Sequence, residues 1–481
     1  MINTIIPTPK SIQLTDVRTT IDPFIFCSYA PWATYVDTLC EAFEKIYETS
    51  LVIGEGGIYF EYDASLLSNQ YRYEAVDSRI TLSASTEEGI LYAIATLLQA
   101  IDVEKGVLCA EKATIEDYPD KEYRTLMVDV ARQWHPARTI LKYIDICFFL
   151  KVKYLHLHFI DDQRYTLPSK AFPHITDGNR FYSYEEIAAM RSYANQRGVI
   201  LVPEFEAPGH AAAMNRNYPD IFAPKLSGNE GTEITTEAGA VITAANIVNA
   251  GNPLTIEAIR TLLFEICELF PETPYIHIGG DEANIKVWNY CTDSLAYMKD
   301  NNIEDVYELY SDFVGRVAQM VLDMGRTPIV WEGFPKKGAH RVPKDTLVIA
   351  WESYYNFAPD LLADGFKIIN ASWQPNYIVP SLNLTWGPKE ILGWSVYNWQ
   401  HWWPNSAARL NPINVEPTNQ VIGGQLCAWE STYEQEINSV MENLAALSER
   451  VWTVKRLWDD REYTIRYSQT GTKMAHLIQD I

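Results

Sequence analysis

The chain is 481 residues long, 47% apolar and 21% charged, which is enough for a large core and exceeds one ordinary domain. With 62 acidic against 39 basic side chains the net charge is −23, a field that repels nucleic acid, anionic membrane and polyanionic glycans and favours a neutral ligand. Seven scattered cysteines lack C-x-x-C or zinc spacing, no run reaches transmembrane length, and Met1-Ile-Asn-Thr-Ile-Ile-Pro7 lacks a charged n-region, so a soluble, cytoplasmic, thiol-containing protein is expected.

Residues 1–120 read as a small α+β domain. Leu51–Ile53, Ile58–Tyr62, Tyr71–Glu74 and Arg79–Leu82 alternate apolar and polar positions as half-buried strands do. Gly89–Ala100 is an apolar helix suited to cover that sheet, and Tyr118-Pro119-Asp120 is a turn signal at a plausible boundary. Nothing in this stretch carries recognisable chemistry.

From Arg124 the rhythm becomes strand, polar tip, helix. Strands are expected at 124–130, 154–161, 199–206, 275–282, 327–332, 346–352, 367–373 and 423–430. Ile140, Ile144 and Phe148 mark one helix face, and Ser183 with Glu186 has capping-box spacing before a helix that stops at Gly198. A helix over 253–269 precedes the fourth strand, Val306, Phe313, Val317 and Met320 stripe the next, and a last helix is expected near 436–455. Eight strands, most followed by a helix, point to a (β/α)8 TIM barrel over residues 121–481. Residues 375–422, rich in Trp, Pro and Asn, read only as a long loop region.

In such a barrel the strand C-termini share the face that holds the active site. The tips collect Asp129 and Arg132, His158 and Asp161, Glu206 and His210, then Asp281 and Glu282 directly after Gly279-Gly280. Trp331, Trp351, Trp373 and Trp429 come from the last four strands. Carboxylates facing indoles suit a sugar, whose C–H groups stack on rings while its hydroxyls take hydrogen bonds. Blander readings compete: His156 as a barrel-core histidine, Asp129 and Arg132 as a structural ion pair, and His158, Asp161 and His210 as a metal site without paired-histidine spacing to support it.

At these residues the chain resembles glycoside hydrolase family 20, the β-N-acetylhexosaminidases. His277-Ile-Gly-Gly-Asp281-Glu282 is similar to that family's signature, and Leu126–Arg132, His156–Gln163 and Pro203–His210 match in order and position. The resemblance implies an exo-acting glycosidase of terminal GlcNAc or GalNAc on an oligosaccharide or glycoconjugate, with no metal or organic cofactor. It implies retention through the substrate's own 2-acetamido group, an exception to the two-carboxylate scheme. Glu282 would be acid and base, Asp281 would hold the acetamido N–H, and Arg132 would grip hydroxyls. Asp161 and His210 would orient Glu282; Trp331, Trp351 and Trp429 would wall the ring; Tyr377 would donate to the acetamido oxygen. Three departures touch substrate preference: Glu206 replaces the usual aspartate, Val379 stands where an aspartate is often found, and Glu430 follows Trp429 at once. Two rival readings are a conventional retaining β-glycosidase with an enzyme nucleophile, and a carbohydrate-binding barrel without turnover.

Overall fold

The structure, a computed structural model, describes all residues except 1–3, 177, 227–231, 236–240, 383–385, 456–459 and 480–481. The N-terminal unit is one mixed sheet of β1 (Ser11–Ile21), β2 (Phe24–Cys27), β3 (Val52–Ile53), β4 (Ile58–Tyr62), β5 (Tyr71–Val76), β6 (Arg79–Ala84), β7 (Asp102–Glu104) and β8 (Val107–Asp117). The helices Ala33–Tyr47 and Glu87–Ala100 belong to this unit, and the second is nearly all buried because apolar residues fill every side of it.

The second sheet closes. Strands β9 (Tyr123–Asp129), β10 (Tyr154–His158) and β11 (Ile200–Glu204) run parallel in register, with Asp129, His158 and Glu204 level at their ends. An insertion bearing a small hairpin, β12 (Glu233–Thr235) and β13 (Val241–Thr243), precedes β14 (Tyr275–His277). Next come β15 (Thr327–Trp331), β16 (Leu347–Ala350) and β17 (Lys367–Asn370). Short β18 (Tyr377–Ile378), β19 (Asn398–Trp399) and β20 (Ile413–Asn414) interrupt the cycle before β21 (Val421–Ala428) pairs with both β17 and β9. Eight parallel strands thus form a ring, the expected (β/α)8 barrel.

Helices over Ala137–Phe149, Tyr184–Gln196, Pro253–Leu269 and Val306–Asp323 follow where the apolar stripes place them. Ser183 and Glu186 do form a reciprocal capping box. The closing helix runs Tyr433–Trp452, earlier than the pattern suggested, because Thr432 and Gln435 cap it. A further helix, Asp460–Leu477, returns to the N-terminal unit: Lys473 Nζ donates to the carbonyls of Gln99 (2.7 Å) and Ile101 (2.8 Å). The two units also share a buried polar seam, where Lys151 Nζ donates to Tyr71 Oη at 2.8 Å with Asp117 Oδ2 3.6 Å away.

Two expectations need correction. The polar tips lie just beyond the strands, since β10, β11 and β14 end at His158, Glu204 and His277. The stretch 375–422 is also more than a loop: β18 lies beside β21, a short helix spans Pro388–Gly393, and β19 pairs with β20. All seven cysteines are free, and among the described residues no helix is long and apolar enough to cross a membrane.

Candidate active site

The turn after β14 is made by two glycines in the left-handed region, Gly279 at φ +68° and Gly280 at φ +97°. A Cβ on Gly279 would fall 2.0 Å from Glu206 Oε1, and one on Gly280 would fall 2.4 Å from Val330 Cγ2. Only glycine fits at either position, for both conformation and space. The turn delivers Asp281 into a buried position and leaves the Glu282 side chain 47% exposed. Glu282 (φ +43°), His210 (φ +48°) and Glu430 (φ +58°) all hold left-handed backbones around the same mouth, a strain of the kind that clusters at functional sites.

Asp161 is the hub of the charged network. Arg132 Nη2 lies 2.8 Å from its Oδ2, His158 Nε2 2.9 Å from the same oxygen, and His210 Nδ1 3.5 Å from Oδ1. The other side of the His210 ring reaches Glu282 Oε2 at 3.4 Å and Asp281 Oδ2 at 3.8 Å. Arg132 also pairs with Asp129 at 3.3 Å, and Asp129 Oδ1 accepts from the N–H groups of Ala131 (3.0 Å) and Arg132 (2.9 Å). The structural reading of Asp129 is thereby satisfied, and the same carboxylate fixes Arg132 at the pocket.

Burial opposes every charge here, and the partners decide the outcome. For Asp161, burial is outweighed by His158, His210 and Arg132, which hold its carboxyl far below the ordinary range. For His210, burial is outweighed by Asp161 and Glu282, which keep the imidazole charged. The His210 bond draws Glu282 below its usual value, whereas burial first, with the Glu282 and Glu204 charges added, pushes Asp281 up to about 6. Two adjacent carboxyls thus titrate apart, the signature of divided acid–base roles. Glu206 goes furthest. Burial, Asp281 and Glu204 raise it well above the carboxylate range, and its Oε1 accepts from Gly280 N–H at 3.1 Å. Its hydrogen bond is to that turn, not to His210.

Beneath this layer lies a residue that the sequence reading passed over. Glu204, fully buried at the end of β11, accepts from Trp331 Nε1 at 2.5 Å and faces His158 Nδ1 at 2.6 Å. It also faces His156 Nε2 and His277 Nδ1, each at 3.0 Å. His156 stacks on His277 with ring centroids 4.6 Å apart, so it is a core histidine. Burial would discharge His158, but Glu204 and Asp161 outweigh it and raise the imidazole to about 10. His158 and Glu204 face each other across β10 and β11, a pairing visible once the two strands are aligned. Glu204→Gln removes one of the two carboxylates that hold the His158 cation in the barrel and should cost about 3 kcal/mol of unfolding free energy, read by urea titration. A loss below about 1 kcal/mol would contradict this role. Several of these histidine–carboxylate groups bring ligand-type atoms within 4.8 Å of one another, but the contacts are those of ion pairs and need no metal to account for them.

The opposite part of the mouth is aromatic. Tyr377 is placed by β18, which lies beside β21, and Trp429 N–H donates to Ile378 O at 3.0 Å. Tyr377 stacks on Trp373 at 4.5 Å and 16° and on Trp351 at 6.1 Å and 14°. Trp331 sits 5.8 Å from Trp429, over which the Arg132 guanidinium lies at 5.0 Å. Together these side chains, Asp281 and Glu282 line a pocket of about 500 Å³, part of it open to solvent. Seven of the nine residues singled out from sequence line it; Asp161 and His210 stand directly behind Glu282 and Asp281. Trp373, Val379, Leu382 and Glu430 complete the lining. Three buried carboxylate oxygens among the described residues, Glu206 Oε2, Asp281 Oδ1 and Glu352 Oε2, have no hydrogen-bond partner within the protein, and of these three residues Asp281 is the one that lines the cavity.

The sequence pattern described as "Glycosyl hydrolase family 20, catalytic domain" matches residues 122–455. The β-hexosaminidase subunit beta of Entamoeba histolytica is 25% identical over 419 residues, covering 83% of this chain and 72% of that protein. The bovine (Bos taurus) β-hexosaminidase subunit alpha is 27% identical over 403 residues, covering 79% and 69% respectively. Among solved structures, an exo-β-N-acetylglucosaminidase from Vibrio harveyi in complex with N-acetylglucosamine superposes with a TM-score of 0.84 at 23% identity, over 99% of this chain and 78% of that one. A β-N-acetylhexosaminidase from Bacteroides fragilis gives a TM-score of 0.77 at 23% identity, over 97% and 95%.

Proposed function

This chain belongs to glycosyl hydrolase family 20, and from that premise we propose that it is an exo-acting β-N-acetylhexosaminidase that removes terminal non-reducing GlcNAc or GalNAc with retention. The observation that carries the reading is Asp281: a buried carboxylate with one unpartnered oxygen, beside the half-exposed Glu282 in an indole-walled pocket. An unpaired buried acceptor is costly, so a donor from a ligand is the economical partner. The N–H of a 2-acetamido group is such a donor.

In this mechanism the acetamido oxygen attacks the anomeric carbon as the bond to the leaving oxygen breaks. Glu282 gives that oxygen its proton. Asp281, ionised, aligns the amide and offsets the positive charge of the cyclic oxazolinium ion. The Glu282 carboxylate then takes a proton from water, which attacks the same carbon, reopens the ring and restores the amide. In the free pocket the proton sits on His210, which keeps Glu282 ionised. A seated sugar displaces water from Glu282 and disfavours its charge, and His210 is within reach to supply the proton. Arg132, fixed by Asp129 and Asp161, presents its fork to the sugar hydroxyls.

The reading is tested by a panel of aryl β-glycosides differing only at C2 and C4. Release should require a 2-acetamido group and tolerate either configuration at C4. Equal rates on plain β-glucosides would favour a conventional enzyme nucleophile, and tight binding without release would favour a carbohydrate-binding barrel.

A further inference from the structure

We propose that Glu332 is a positioning residue of the sugar site: its buried carboxylate fills a nest of backbone amides and thereby sets Trp351 in the pocket wall. The inference rests on the activity proposed above and adds to its site a residue that acts through an indole, not on the sugar itself.

Glu332 directly follows β15 and is buried. Both of its oxygens are taken by the loop that leaves the next strand, β16. Oε2 accepts from the N–H groups of Trp351 (3.2 Å), Glu352 (3.2 Å) and Ser353 (2.9 Å), and Oε1 from those of Tyr354 (2.8 Å) and Tyr355 (3.2 Å). Consecutive amides pointing inward make the kind of concavity that binds anions, and here the anion is the chain's own side chain. All five partners are donors, so a proton on this carboxyl would find no acceptor among them; the loop is shaped for the charged form. The bend that aims the amides runs through Ser353 at φ +56°, a left-handed conformation that persists only where the surroundings fix it. Ala407 N–H holds Ser353 O from the other side at 3.0 Å.

The first residue of the nest is the one that faces the pocket. Trp351 is tied to Glu332 twice, by its backbone N–H on the carboxylate and by its indole Nε1, which donates to Glu332 O at 2.8 Å. Glu332 N–H in turn donates to Ile349 O at 2.8 Å, so β15 and β16 stay joined up to the base of the indole. From there Trp351 reaches three other wall residues. It stacks on Trp373 at 5.7 Å and on Tyr377 at 6.1 Å, and meets the edge of Trp331 at 6.4 Å and 72°. A displaced Trp351 therefore disturbs the ring faces on which the sugar would lie. Fixing the indole before the sugar arrives removes its ordering cost from binding, which is how a supporting residue raises affinity without touching the ligand.

The test begins with Glu332→Gln, which keeps the volume but turns an amide nitrogen toward two or three N–H donors, whichever way it is flipped. On an aryl β-N-acetylglucosaminide it should raise KM about tenfold, with kcat per folded molecule within about twofold of the parent. Added to Trp351→Ala, it should change KM by less than about twofold, because the side chain through which it acts is gone. Hydrogen exchange reads the same nest without any assay of turnover: the amides of Trp351 to Tyr355 should be strongly protected in the unmodified protein and exchange at least about tenfold faster in Glu332→Gln. A fall in kcat with KM unchanged, independent losses in the double variant, or unprotected amides in the unmodified protein would overturn the positioning role while leaving the activity reading intact. An unmodified protein that releases no sugar would overturn the activity reading, and the nest would then stand or fall on the exchange rates.

Discussion

Glu282→Gln is expected to lower kcat/KM on an aryl β-N-acetylglucosaminide by about a thousandfold, within the range for loss of a positioned general acid and base. The amide side chain keeps the volume and can still lie 3.4 Å from His210, but it can neither give up nor take a proton at the reacting oxygen. The loss should depend on the leaving group. A dinitrophenolate departs without protonation, so its first step should be nearly spared, whereas an unactivated disaccharide should feel the full effect. A variant within about tenfold of the parent on the disaccharide would remove Glu282 from this role.

Asp281→Ala should cost about a hundredfold to a thousandfold on 2-acetamido substrates, the scale for losing one electrostatic partner of a developing charge. The pH profile gives a second readout. Only the ionised carboxyl can accept the amide N–H and face the oxazolinium cation, and Asp281 titrates at about 6. Protonation therefore removes function on the acid side, and kcat/KM should fall as pH drops through about 6. In Asp281→Asn that limb should disappear from the residual activity. The stability sign is opposite: a folded pKa above the unfolded value means the contribution is present at low pH and is lost as pH rises through about 6. At neutral pH Asp281→Asn should accordingly be no less stable than the parent, although far less active. A less stable variant, or an acid limb that persists, would contradict this assignment.

Much of the barrel was legible because its strands are short β-branched runs and its helices carry clean apolar stripes. Val306, Phe313, Val317 and Met320 are all buried on the helix they were taken to define. The N-terminal unit was less so. In β1 the register breaks between Leu14 and Arg18, which shifts the alternation that would have marked it as a strand. The stripe of Val36, Leu39, Phe43 and Ile46 in Ala33–Tyr47 was available in the sequence, but no strong cap frames it: the residue before this helix is Trp32, which makes no capping bond.

At the site, proximity in sequence made the Asp281–Glu282 pair easy to find, and strand-end equivalence gathered the tryptophans. What escaped depends on depth and on chain crossings. Glu204 differs from a solvated glutamate only through three histidines and an indole brought from other strands. Glu332 likewise matters through the backbone amides of the next strand's loop, which no side-chain pattern reveals. Residues 401–403 lay in a stretch without periodicity, where only the folded chain brings Trp403 against Tyr354.

The central claim, that the amide of the sugar supplies the attacking atom, is tested most directly by weakening that atom alone. Aryl glycosides bearing N-acetyl, fluoroacetyl, difluoroacetyl and trifluoroacetyl groups keep the ring and leaving group fixed while fluorine drains the carbonyl oxygen of electron density. The account predicts that kcat/KM falls steeply with each added fluorine. A flat series would mean that this oxygen takes no part in bond making.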